Sequence, residues 1–244
     1  MKDLWLIGIG TGSPGHVTLE AQAALRDAAL ILLPRKGSGK DDLAEVRHRI
    51  IAAAGSTARI VDFDYPVRDP ALPYVERVEK WHDEIATRWS AAIDGDGPVA
   101  LLVWGDPSLY DSTLRIAARL SPRPRIKVFP GITALQALTA AHAIPFNTLA
   151  GAVTVTTGRR LRDQGWPEGA ESVVVMLDGE CSFQTLRRDD LLIWWGAFLG
   201  MEEQVLDHGP LAEAGPRIIE TRQAAREAHG WIMDTYLLRP EGLT

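Results

Sequence analysis

Three short turns rich in glycine carry the residues of this sequence best suited to chemistry. The apolar run 99–104 ends in Gly105-Asp106-Pro107. A run with no polar residue reads as a strand buried on both faces, and the glycine and proline flanking Asp106 force a turn. A carboxylate is thereby delivered to a strand's carboxyl end, where open α/β sheets place their ligands. Asp106 then either binds a ligand or caps the following helix, and the turn alone leaves both open. A second turn, Gly8-Ile-Gly-Thr-Gly-Ser-Pro-Gly15, followed by His16, allows close backbone approach to a ligand or to another domain. In a third, Phe129-Pro-Gly-Ile-Thr-Ala134, Thr133 and unpaired backbone N–H groups open a helical pattern through Leu135, Leu138 and Ala141. Thr133 serves either a polar ligand or the helix as a cap. Turns at the strand ends of one parallel sheet converge on one cleft.

Several other chemistries are disfavoured. A dinucleotide fingerprint needs Gly-x-Gly-x-x-Gly running into a helix and an acid at the end of the second strand. Here Pro14 intervenes and the second apolar run ends in Leu33-Pro34-Arg35. Gly37-Ser-Gly-Lys40 lacks the first glycine of a phosphate-binding loop and reads as a flexible connection. His48, His82, His142, His208 and His229 show no metal-ligand spacing, so no metal is expected. The single Cys181 excludes an intramolecular disulfide and fits a reducing compartment. A net charge of −6 argues against a general nucleic-acid binder. No run approaches the ~20 apolar residues of a membrane span, and residues 4–9 are too short for a signal peptide. The chain therefore reads as cytoplasmic and complete from Met1.

The elements that must position these turns alternate in the first half. Strand-like runs at 4–9, 30–33, 59–63, 99–104 and 126–129 are separated by helical patterns, the signature of a parallel sheet. Leu43, Val46, Ile50 and Ala54 share one helix face. Val75, Val78, Trp81, Ile85, Trp89 and Ile93 form a longer stripe whose aromatics read first as core. After residue 146 strand-like runs crowd together at 153–157, 173–177, 191–198, 217–220 and 231–238, with a short polar-faced helix at 220–229. This half reads as a mixed, partly antiparallel sheet. A length of 244 residues with 46% apolar composition supports two α/β domains, 1–147 and 148–244, with a small-molecule cleft between them.

The ordered motifs resemble those of the tetrapyrrole methylases, S-adenosylmethionine-dependent enzymes of cobalamin and sirohaem synthesis. The opening Gly8 to Pro14 with Val17-Thr18, then Gly105-Asp106-Pro107, then Pro130 to Ala134 are similar to that family's motifs in order and separation. The strings 103–113, 156–161, 175–179 and 230–238 are similar to its deacetylating branch, which methylates C1 of a precorrin and releases an acetyl group. The resemblance spans nearly the whole chain.

This resemblance implies two α/β domains of the tetrapyrrole methylase fold, with the donor S-adenosylmethionine between them. It implies a homodimer, a small-molecule tetrapyrrole partner rather than nucleic acid or membrane, and transient handover to the next enzyme of the pathway. Carried over, the donor site comprises Thr11, Trp104, Gly105, Asp106, Thr133 and Ala134, with Met176 or Leu177 and a later Gly196 or Gly209-Pro210 segment around the adenine. Thr11 and Ser13 depart from the family's proline and aspartate, so no role of an opening acid transfers. Trp104 stands where many relatives have a small residue, and either reshapes the donor pocket or stacks on the macrocycle. Asp106, His16 and Tyr110 are candidate proton-transfer groups for acetyl loss. Substrate carboxylates favour guanidinium forks, which makes Arg159 and Arg160 candidates, with Arg35 and Lys36 behind them. Other readings stay open: a methylase of the same fold acting on another precorrin carbon, on uroporphyrinogen or on a ribosomal RNA ribose, or a non-catalytic tetrapyrrole-binding protein.

Overall fold

The computed structural model describes residues 2–35 and 41–243, which leaves Lys36 and the Gly37–Lys40 loop outside the described residues. The chain divides into two compact units, Met1–Thr133 and Ala134–Thr244.

In the first unit, strands β1 (Asp3–Gly8), β2 (Leu30–Arg35), β3 (Arg59–Asp64), β4 (Val99–Val103) and β5 (Arg125–Phe129) form a sheet of order β3-β2-β4-β1-β5. All its pairings are parallel. Helices α1 (Leu19–Asp27), α2 (Asp41–Ala54), α3 (Tyr74–Ala92) and the short α4 (Thr113–Ala117) connect the strands. The central strands β2, β4 and β1 are mostly apolar because both sheet faces are covered there, whereas the edge strands β3 and β5 are largely exposed. Leu4, Leu6, Leu32, Leu101 and Val103 pack with Ile85, Trp89 and Ile116 on one face. On α2, Leu43, Val46, Ile50 and Ala54 are all buried, as their spacing predicts. In the α3 stripe Ile85 and Trp89 are core and Trp81 and Ile93 pack against it, whereas Val75 in the first turn is exposed.

The second unit holds β6 (Val153–Thr157), β7 (Ser172–Met176), β8 (Leu191–Ala197), β9 (Val205–Pro210) and β10 (Asp234–Pro240) in the order β6-β7-β10-β8-β9. Only β6 and β7 pair in parallel, so the sheet is mixed, as expected. Helices α5 (Ala134–His142), α6 (Gly158–Gln164) and α7 (Leu211–His229) complete it. The strand expected at 217–220 does not exist: Arg217 to Glu220 lie within α7, which also absorbs the expected short helix at 220–229. The Ile218-Ile219 pair suggested a strand, but Ala214, Ile218 and Arg222 are buried four residues apart on one helix face. Strand β9 was not anticipated. In the second compact unit α5 packs on β8 and β10. The His142 imidazole, at the end of α5, donates from Nε2 to the Trp195 carbonyl (2.9 Å).

Candidate functional site

Because β4, β1 and β5 lie side by side and run in parallel, the turns that leave them meet at one edge, as the motifs predict. Gly105 N–H donates to the Gly10 carbonyl (2.8 Å), and Gly10 N–H returns a bond to the Gly105 carbonyl (3.3 Å). A Cβ on Gly131 would stand 2.1 Å from the Gly105 carbonyl oxygen, and one on Gly8 would stand 2.6 Å from the Gly131 nitrogen. Three main chains therefore touch where no side chain fits. Gly105 itself, at φ +66°, leaves open space on its Cβ side, with only the Thr133 Cα nearby at 3.8 Å. Trp104, Thr133 and Ala134 are half-buried around this edge.

Asp106 does not cap the next helix, which starts only at Thr113. It is 8% exposed and ties two turns together. Its Oδ1 accepts the Ser108 N–H (2.8 Å) and the Ser108 hydroxyl, and its Oδ2 accepts the Gly131 N–H (2.9 Å). Burial alone would raise its pKa, but the Ser108 hydroxyl and the Gly131 and Ser108 N–H groups together hold it below the ordinary carboxylate value. The group is an anion whose oxygens are committed to the backbone, which fits positioning better than proton transfer.

His16 ends a 3-10 turn, Pro14–His16, and its Nδ1 lies 3.0 Å from the hydroxyl of buried Thr11. Its β-carbon packs over Gly10, where an added Cβ would come within 2.4 Å. Burial pushes the imidazole pKa down, so it is neutral at pH 7. Tyr110 is exposed in a left-handed conformation, φ +48°. Arg35 ends β2 at the same edge, exposed and 3.8 Å from Asp64.

In the second unit, the candidate adenine-side residues separate into two groups. Gly196 pairs with Thr235 and Leu206, and Met176, one residue beyond the Val175–Tyr236 pair, faces Thr235 from the other side. Met176 and Gly196 thus share one row across the sheet. Gly209 pairs with Ile193 and Pro210 with Leu192, about 10 Å or more along the strand from that row. Gly196 is enclosed, since a Cβ there would meet Leu199, Leu138 and Leu206 within 2.7–3.1 Å. Leu177, by contrast, is 66% exposed at φ +53°. Arg159 and Arg160 are exposed in the first turn of α6. Arg160 donates to Gln164 and lines a cavity of about 120 Å³ with Thr154, Thr156 and Pro167, a space for a few waters rather than a macrocycle.

A buried polar network behind Leu177 was not foreseen. Asp178 accepts the Tyr236 hydroxyl (2.6 Å), the Ser182 N–H (2.6 Å), the Ser182 hydroxyl (2.9 Å) and the Glu180 N–H (3.1 Å). Arg222 holds Asp234 through Nε (2.8 Å) and Nη2 (3.2 Å), and donates to the Asp178 carbonyl (3.0 Å). The Trp195 indole donates to the same Asp234 (2.9 Å). Burial raises the Tyr236 pKa, so the phenol stays protonated as a donor. Burial also pushes the Cys181 thiol up to about 11, which makes it inert.

Taken with this sheet-edge geometry, the comparisons are decisive at the level of class: the chain belongs to the tetrapyrrole (corrin/porphyrin) methylase family, whose sequence model matches residues 3–215. At finer grain, it is 45% identical to precorrin-6A synthase (deacetylating) of a Sinorhizobium species, covering 98% of this chain and 95% of that one. A solved structure of CobF, a protein of Corynebacterium diphtheriae related to cobalamin synthesis, aligns over 100% of both chains with a TM-score of 0.85 and 41% identity. The fold is also shared with uroporphyrin-III C-methyltransferase of Thermus thermophilus in complex with S-adenosylhomocysteine: TM-score 0.62, 18% identity, 97% of each chain.

Proposed function

We propose that this chain methylates C1 of precorrin-5 with S-adenosylmethionine as donor and releases the acetyl group as acetate, giving precorrin-6A. The observation that carries this reading is the 45% identity to a deacetylating relative along almost the whole of both chains.

The donor fits the residues present at the first sheet's edge. Gly105 has room on its Cβ side, and half-buried Trp104 offers an aromatic surface beside it. Thr11, Trp104, Gly105, Thr133 and Ala134 would hold it, with Asp106 fixing the turns. Met176, Leu177 and Gly196 are the better adenine-side candidates, because they sit in or beside one strand row that Gly209 and Pro210 do not join. The donor supplies an electrophilic methyl group on sulfur. C1 loses no proton on becoming quaternary, so the protein's task is alignment and exclusion of water rather than strong base catalysis.

Acetyl loss is different. Water adds to the acetyl carbonyl, the carbon–carbon bond to the macrocycle breaks, the macrocycle carbon keeps the electron pair and takes a proton, and acetate leaves. A proton-accepting group at the edge is needed. His16 suits this role: it is neutral at pH 7 and oriented by Thr11. Asp106 suits it poorly, and Tyr110 is the further candidate. Arg35, Lys36, Arg159 and Arg160 remain proposed carboxylate contacts. The family resemblance supports a cytoplasmic homodimer that hands its product to the next enzyme and acts on a small molecule rather than on nucleic acid or a membrane. The chemistry as written calls for no metal.

The test is anaerobic incubation with precorrin-5 and methyl-labelled donor, following the macrocycle and free acetate by mass spectrometry. Label with one equivalent of acetate is expected. Label without acetate would move the protein to another branch of the family.

A further inference from the structure

Arg47 lies on α2, which packs on β2 and against the Pro14–His16 turn. Its side chain is buried, with the residue only 8% exposed. Nη1 donates to the Leu43 carbonyl of its own helix (3.2 Å), and the buried Nε–H has no hydrogen-bond partner. Among the described residues no carboxylate forms an ion pair with it. Guanidinium cannot discharge itself by losing a proton, so burial here leaves a cation with one N–H unbonded and no carboxylate in contact.

Its position is informative. Arg47 interacts electrostatically with Tyr65, the first residue beyond β3, and with Asp111, in the segment that follows β4. In the sheet β2 lies between β3 and β4, which places the guanidinium over the carboxyl end of β2, on the ligand edge. Asp111, whose Oδ1 accepts the Thr113 N–H (2.6 Å), acts on the guanidinium through space, without an ion pair among the described residues. Tyr65 stacks on Trp81 (centroids 5.5 Å apart, planes 22° apart), and the Arg68 guanidinium lies 4.1 Å from the Trp81 ring centroid. An aromatic wall therefore flanks an unsatisfied buried cation.

We propose that Arg47 is the receptor for one carboxylate arm of a macrocyclic polycarboxylate, which completes the hydrogen bonding of its guanidinium and fixes the register of the ring at the sheet edge. Only the identity of the carboxylate's bearer rests on the methylase reading. The receptor itself follows from the unpaired group and its place in the fold.

The experiment measures binding of uroporphyrin, an octacarboxylate macrocycle, by fluorescence quenching for wild type, Arg47→Met and Arg47→Lys, with the porphyrin's methyl ester as control. We expect Arg47→Met to weaken uroporphyrin roughly tenfold or more and Arg47→Lys less, with binding of the ester and of the methyl donor unchanged. The unliganded Met variant should melt at the wild-type temperature or above, since it removes a buried unpaired charge. Equal uroporphyrin affinity in wild type and both variants would overturn the proposal. Carboxylate-dependent binding through Arg47 without turnover of precorrin-5 would leave the receptor standing and remove the precorrin-5 assignment, so the two readings fail separately. If Arg47→Met does not fold, Arg47→Lys with the ester control still decides.

Discussion

At the carboxyl edge of the first sheet, Gly8, Gly105 and Gly131 bring three main-chain segments into contact, and Asp106 accepts groups of its own and a neighbouring turn. At the end of the second sheet, the loop carrying Leu177 is held instead by side chains, with Tyr236, Ser182 and Arg222 converging on Asp178 and Asp234. The first arrangement leaves room for an added carbon only at Gly105 among these three glycines. The second fills its interior and projects a single apolar side chain. Backbone contacts of this kind admit no added atom, whereas a side-chain network loses its energy one bond at a time.

The largest expected effect tests that difference directly. Gly131→Ala places a Cβ against main chain on both sides and should cost about 4 kcal/mol or more, or abolish soluble folding. Gly105→Ala meets only the Thr133 Cα and carries a positive-φ penalty of roughly 1 kcal/mol, so its loss should appear in donor affinity. Urea unfolding of the pair checks both, and comparable stability of the two variants would break the contrast. In the second unit, Arg222→Met removes the cation that pairs with the Asp234 carboxylate and leaves the Trp195 indole bond in place, at a cost of about 3 kcal/mol. Replacing Asp234 by Leu in the same chain should recover much of that loss. Failure to recover would mean that the network does more than neutralise a buried charge.

The same difference decides what was legible beforehand. The first unit's strands and its three turns could be read because glycine, proline and unbroken apolar runs are local signals, and parallel strands bring their ends together by topology. The network of the second unit joins residues as distant as Asp178 and Tyr236, each of which is ordinary in its own neighbourhood. Strand β9 is silent in the sequence because Leu206, Asp207, His208 and Gly209 form a half-exposed edge without an apolar run. The false strand at 217–220 came from two adjacent isoleucines, whose helical context only Ala214 and Arg222 reveal. Arg47 was passed over because a lone arginine in a charged helix signals nothing until its burial is known.

Asp106 sits between the two modes, a side chain serving as main-chain glue. Asp106→Asn keeps the shape but loses the charge and sets the amide NH2, a donor, against a backbone N–H, a cost of about 2 kcal/mol. If it positions the edge, donor KM rises and the pH profile of turnover keeps its shape. A fall in kcat alone with a shifted profile would assign it proton transfer instead. Because its folded pKa is lowered, its contribution to stability is fully present above about pH 4 and is lost as the pH falls further.

The smallest effect separates the units by pH. Burial lowers the pKa of His16 and His82 in the first unit and of His142 in the second. For His82, Arg119, Arg115 and Arg68 push in the same direction. For His142, the bond to the Trp195 carbonyl pushes back without overcoming burial. Unfolded histidines protonate near pH 6.5, so below that value the unfolded chain binds more protons and stability falls, well before Asp106 titrates. Melting temperatures between about pH 7 and pH 5 should therefore decline in the wild type. His16→Gln and His142→Gln should each flatten part of that decline, the first with a change in activity and the second without. A flat wild-type profile would mean that these imidazoles are hydrated in solution, and the neutral His16 on which acetyl loss depends would lose its physical basis.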